Sequence, residues 1–165
     1  MIASLPAPQR YIVGSFLFLA AVAFAVAPLP LALRSAGILL FSYLSLAAAG
    51  SSAAFTTGLL APALGLLGGD YDWLVMLPII ISSNMLALIG FEFTWRYAAI
   101  IASPLLQALP QVLVHVASST ELFAVELPWE PNPVGWISLH ALVSLAAVLV
   151  LVFLDRRRER RAAAT

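Results

Sequence analysis

Gln107, Gln111 and His115 stand at every fourth position of the stretch "LLQALPQVLVHVASS" (105–119), an otherwise apolar segment. On a helix these positions share one face, so two carboxamides and an imidazole form a stripe of hydrogen-bond donors and acceptors. Pointed at hydrocarbon each group would be unsatisfied, so the stripe is expected to face the interior of a helical bundle or a cavity within it. Pro104 and Pro110 on the same segment free backbone carbonyls that a glutamine amide or a bound molecule can use. Another apolar block carries His140 and Ser144 one turn apart, with Ser138 close by, and "ISSNML" places Ser82, Ser83 and Asn84 at the middle of a third. Gln107, Gln111, His115, His140, Asn84 and Ser144 are therefore the candidate ligand-binding residues, a few polar groups orienting a small organic molecule between apolar walls. The competing expectation for the same residues is packing glue, interhelical hydrogen bonds worth roughly 0.6–2 kcal/mol each.

Other chemistry lacks its components. The chain has no Cys, which removes disulfides, thiolate metal sites and cysteine nucleophiles. There is no G-x-S-x-G, H-E-x-x-H or phosphate-binding glycine loop, and no Asp or Glu in the central third of any apolar block, where a proton relay would need one. Two histidines fall short of the three or four ligands of a metal site, so no metal, cofactor or catalytic residue is expected. A bis-histidine heme or pigment carrier is kept as a third functional expectation. The formal net charge of zero gives no attraction to nucleic acid.

The elements that position these residues follow from composition. Of 165 residues 62% are hydrophobic and 10% charged, and there is no Lys, which is the composition of an all-α integral membrane protein. Five apolar blocks are visible, and the second, about 36–68, would make one helix of about 50 Å against a hydrocarbon core of about 30 Å. Gly50, Ser51 and Ser52 supply a turn in its middle, so six spans are expected, at about 11–33, 36–49, 53–68, 73–91, 97–118 and 134–154. The chain is then one transmembrane bundle, 1–165, with an Arg-rich tail at 155–165. Because cytoplasmic flanks retain Arg, "DRRRERR" (155–161), Arg96 and Arg10 place both termini inside. Asp70, Asp72, Glu121, Glu126 and Glu130 then fall in solvated outer loops, with Arg34 outside as an exception. Trp73, Trp95, Trp129 and Trp136 lie at span ends, where an interfacial aromatic belt is expected.

Small residues suggest how helices meet. Ala21, Ala23, Ala25 and Ala27 contain two A-x-x-x-A spacings, and Ala54/Gly58 and Ala61/Gly65 repeat the small-x-x-x-small pattern, which permits close backbone approach either internally or to a partner subunit.

With these alanine spacings and the polar groups near the outer ends of the last two helices, the chain resembles the substrate-binding S components of energy-coupling factor (ECF) transporters. That resemblance implies a small bundle that captures a molecule from outside and meets a membrane coupling subunit through Ala21/Ala25 and Ala23/Ala27. The nickel- and cobalt-binding members carry a His directly after the initiator Met, where this chain reads Met1-Ile2-Ala3, so an organic ligand is the implied choice. "GSSAAFTTGLLAPALGLLGG" (50–69) and "VFLDRRRER" are also similar to the MreD rod-shape membrane proteins, although "APALG" stands where that family usually has an Asp. This second resemblance implies a scaffold subunit for cell-shape or cell-wall synthesis. The leading expectation is a non-enzymatic substrate-capture subunit of the bacterial plasma membrane, surrounded by lipid and working with other integral membrane subunits.

Overall fold

The computed structural model describes residues 6–94, 97–120 and 126–162, with the side chains of Arg158, Arg161 and Ala162 excepted. The expectations for Trp95, Arg96, Glu121 and the Met1–Ala3 start fall outside these residues. Among the described residues six α-helices follow one another: α1 (Ala7–Val26), α2 (Leu31–Ala48), α3 (Ser51–Leu64, continued by a 3-10 turn Gly65–Gly68), α4 (Tyr71–Phe93), α5 (Ala99–Ser119) and α6 (Pro133–Ala162). All six are long and apolar enough to cross a membrane, and there is no strand among the described residues.

The division of the 36–68 block falls where Gly50 permits it. Gly50 adopts φ 98°, a conformation that side chains with a Cβ disfavour, and it separates the end of α2 from the start of α3. The first two spans differ from the sequence expectation. α1 begins at Ala7 and ends at Val26, rather than running to 33, and α2 begins at Leu31. Pro28 and Pro30 are the reason: each bars the preceding residue from helical geometry, and Ala27 is extended at φ −65°, ψ 149°. Arg34 consequently belongs to the first turn of α2 instead of a loop. Residues 155–162 of the expected C-terminal tail are helical too, because α6 continues to Ala162 without a breaker.

The tryptophans differ as well. Trp73 and Trp136 stand near the starts of α4 and α6, but both are fully buried inside the bundle and not on its outer surface. Gly65 makes room for Trp73: a Cβ there would lie 2.5 Å from the Trp73 Nε1, whose N–H donates to the Pro62 carbonyl at 2.8 Å.

The interior has two apolar clusters. One gathers Ala21, Ala25, Leu31, Ile38, Ala61, Trp73, Met76, Ile79, Ile80 and Trp136 toward the end where α2, α4 and α6 begin. The other gathers Leu39, Tyr43, Leu46, Ala54, Ala87, Leu88, Val148 and Leu151 toward the opposite end. Between them on α4, α5 and α6 the buried residues turn polar: Ser83 and Asn84, then Ser103, Gln107 and Gln111, then His140 and Ser144. Ser35 and Ser42 bring the same change to α2. The bundle thus has a polar belt at mid-depth between two mainly apolar layers, with Trp136 at its border to the first cluster.

The alanine spacings are consumed internally. Ala21 and Ala25 are fully buried within the chain, Ala27 lies beyond the end of α1 and is half-buried, and of the four only Ala23 is exposed. The expected partner face therefore shrinks to one residue, because α1 packs on α2 and α3 through it. Ala54, Gly58, Ala61 and Gly65 are likewise buried.

Candidate functional site

One half of the polar belt is saturated. Ser103 donates to the Ala87 carbonyl at 2.6 Å and also meets the Tyr43 hydroxyl, which lies 2.8 Å from the Ser144 Oγ. A carbonyl only accepts, so the order of donation runs from Ser144 to Tyr43 to Ser103 to Ala87. One turn nearer the start of α6, the His140 Nδ1–H donates to the Trp136 carbonyl at 2.8 Å, and the Nε2 lies 2.9 Å from the Ser35 Oγ. With Nδ1 protonated, Nε2 of a neutral ring accepts from the Ser35 hydroxyl. His140 and Ser144, two of the candidate ligand-binding residues, are therefore occupied by partners inside the protein.

The other half is unsaturated. Ser83 Oγ, both amide atoms of Asn84, both of Gln107, the Gln111 Oε1 and the Trp136 Nε1 are buried with no hydrogen-bond partner in the protein. Leaving a buried polar group unpaired costs about 1–3 kcal/mol, so such atoms call for a partner.

Helix register brings these atoms together. The Ser103–Ala87 contact sets the antiparallel pairing of α5 with α4, so one turn further on, about 6 Å at 1.5 Å per residue, Gln107 is level with Ser83 and Asn84. Tyr43 bridging Ser103 to Ser144 likewise sets α5 against α6, which puts Gln107 level with His140 and Gln111 level with Trp136. Gly90 allows α4 to come this close to α5, since a Cβ on it would stand 2.9 Å from the Ser103 Cα.

His115 does not join them. It is half-buried, with its ring edge-on to Trp129 at 6.2 Å. Trp129 in turn meets Trp136 at 5.9 Å, and Trp136 stacks on His140 at 4.7 Å. Two tryptophans thus stand between the histidines, so the rings do not face a common heme or metal, and His140 has both nitrogens engaged. Among the described residues there is no group of three metal-ligating side chains.

Charged residues fasten the end of the bundle above this belt. Arg34, almost wholly enclosed, donates from Nε to the Ala25 carbonyl at 2.8 Å, pairs with Asp70 at 2.5 Å, and lies over the Trp73 ring at 4.3 Å. Asp70 also caps α4 by accepting from the backbone N–H of Asp72 and Trp73. Partial burial opposes ionisation of Asp70, but the Arg34 hydrogen bond, these backbone donors and the Arg34 charge outweigh it and hold the carboxyl below its ordinary value. Glu130 accepts from the Leu31 N–H at 2.7 Å and so caps α2 from 99 residues away. Asp70 and Glu130 are structural fastenings rather than merely solvated loop residues.

Sequence reasoning found Asn84, Gln107 and Gln111, which are unpaired, and it missed Tyr43, Ser35, Ser103 and Trp136. Tyr43 had a signal: in "LLFSYLSL" a phenol sits mid-span between two serines, far from any interface. Compared with family models, curated proteins and solved structures, the chain matches none.

Proposed function

We propose that this chain is a non-enzymatic, multi-pass subunit of the bacterial plasma membrane that takes a small, uncharged organic molecule into its mid-depth polar belt. The single observation carrying this reading is the set of buried, unpartnered polar atoms on Ser83, Asn84, Gln107, Gln111 and Trp136. They offer N–H and O–H donors beside amide oxygen acceptors, and none of these side chains is charged. A neutral molecule with several hydrogen-bonding edges matches them, whereas an ion would lack a countercharge in a low-dielectric interior.

The saturated half of the belt serves this role by staying rigid. The Ser144–Tyr43–Ser103–Ala87 chain and the Ser35–His140 pair fix α2, α5 and α6 relative to one another. The free carboxamides are thereby held in place before the molecule arrives, which limits the ordering cost of binding. In this reading both termini are cytoplasmic, the Arg34–Asp70 end faces outward, and another membrane subunit supplies the energy for release.

Native mass spectrometry of the protein in mild detergent, with a thermal-shift panel of neutral hydrogen-bonding compounds, tests the proposal. A retained small molecule, or a compound that raises the melting temperature of the wild type but not of a Gln107→Leu/Gln111→Leu variant, is the expected result. Absence of any adduct together with a flat panel overturns it. A scaffold subunit is the second reading, favoured by the saturated Tyr43 and His140 networks. It requires instead that cell-wall synthesis proteins co-purify and that the double Leu variant still assembles with them.

A further inference from the structure

Apart from the polar belt, the end of the bundle where α1 and α3 begin has a groove of about 410 Å³ between these two helices. Gly14 brings the helices together at its floor: a Cβ there would lie 3.1 Å from the Ala49 Cβ and 3.4 Å from the Ala53 Cβ. The walls are amphiphilic. Arg10, Tyr11 and Ser15 of α1 and Ser52 and Thr56 of α3 supply polar groups, and Phe18 supplies an apolar surface deeper along the groove.

Arg10 is the group that needs explaining. Its side chain is half-buried and its Nε is enclosed without an acceptor. Among the described residues it has no hydrogen-bond or ion-pair partner. Arg34 at the other end, by contrast, is matched on three sides. Three described carboxylates stand at the Arg10 end: Glu92, which is engaged by the Ser51 hydroxyl at 2.8 Å, and Asp155 and Glu159 on the last turns of α6, which have interactions of their own. A guanidinium partly withdrawn from water and left unmatched favours an anion, and its planar fork suits a phosphate. Two further features agree in sign. α1 and α3 both start here, each with the positive end of its backbone dipole, and α3 has no side-chain cap on its first N–H groups.

The surroundings select the anion's carrier. α1 is the least enclosed of the six helices, and Ile12, Phe16 and Leu19 project outward along it beside the groove. An anion seated at Arg10 with acyl chains attached covers this apolar flank, and a free phosphate does not. We propose that the groove holds the phosphodiester headgroup of an anionic glycerophospholipid, paired with Arg10 and flanked by the Ser15, Ser52 and Thr56 hydroxyls.

The test is lipid retention by the full chain, read by native mass spectrometry with phosphatidylglycerol or phosphatidylcholine added at equal concentration. Phosphatidylglycerol is expected to dominate, and Arg10→Gln to reduce its retention about fivefold, the order expected from one basic residue at a membrane surface. Thr56→Trp, which fills the groove from an exposed position and leaves Arg10 intact, is expected to do the same, and it carries the test if Arg10→Gln loses its helical circular dichroism. Equal retention by wild type and Thr56→Trp overturns the proposal. So does displacement of the lipid by inorganic phosphate alone, which assigns the groove to a soluble anion.

Discussion

The Arg34 guanidinium and the Asp70 carboxylate meet at 2.5 Å, joining the first turn of α2 to the N-cap of α4. Arg34 is almost wholly enclosed while Asp70 keeps contact with solvent, so the arginine depends on the pair more than the aspartate does. Because the Asp70 carboxyl is held below its ordinary value of 3.8, its contribution to stability is complete above that value. It is lost as the pH falls through the depressed value and the carboxylate is protonated. Wild type is therefore expected to lose this part of its thermal stability only below about pH 4. Asp70→Asn should be destabilised by about 1–3 kcal/mol at pH 7, with the difference from wild type closing in acid. A melting series from pH 7 to pH 3 checks both.

Replacing Gln107 and Gln111 together by Leu separates binding from stability. Leu has similar bulk and no polar atoms, so the double variant removes three unpaired buried atoms without opening a large cavity. In ligand-free protein the expected change is a gain of about 1–3 kcal/mol, since unpaired buried amides are costly. Compound-induced stabilisation should vanish in the same variant. Thermal melts with and without compound measure the two effects, and a destabilised double variant would mean that the glutamines already have partners that hold helices together.

Gly90→Ala probes the register on which the site depends. Its Cβ would lie 2.9 Å from the Ser103 Cα and 3.1 Å from the Ala102 carbonyl oxygen, both backbone atoms that cannot rotate away. α4 and α5 must separate, at a cost of about 1–3 kcal/mol. Ser103 moves with α5, so its hydrogen bonds to Ala87 and Tyr43 should weaken and Gln107 should shift relative to Asn84. The expected outcome is a lower melting temperature together with weaker compound binding. A variant that melts like wild type would show that α4 and α5 are not in close contact here.

Much of this protein was legible along the chain. Apolar block lengths and the break at Gly50 determined six helices, because hydrocarbon thickness limits each span and a glycine at positive φ can reverse the chain; Ser51 and Ser52, expected in the turn, begin α3. The fourfold spacing of Gln107 and Gln111 determined that both face inward, since amides are costly against lipid. Periodicity gives a residue's face on its own helix and says nothing about what stands opposite. Only the tertiary structure decided that His140 and Ser144 are paired while Asn84, Gln107 and Gln111 are not, that Trp129 and Trp136 separate the two histidines, and that Ala21 and Ala25 are used within the chain. The physical reason is that hydrogen-bond saturation depends on contacts between residues as much as 105 positions apart, such as Ser35 and His140, and these exist only once helix register is fixed.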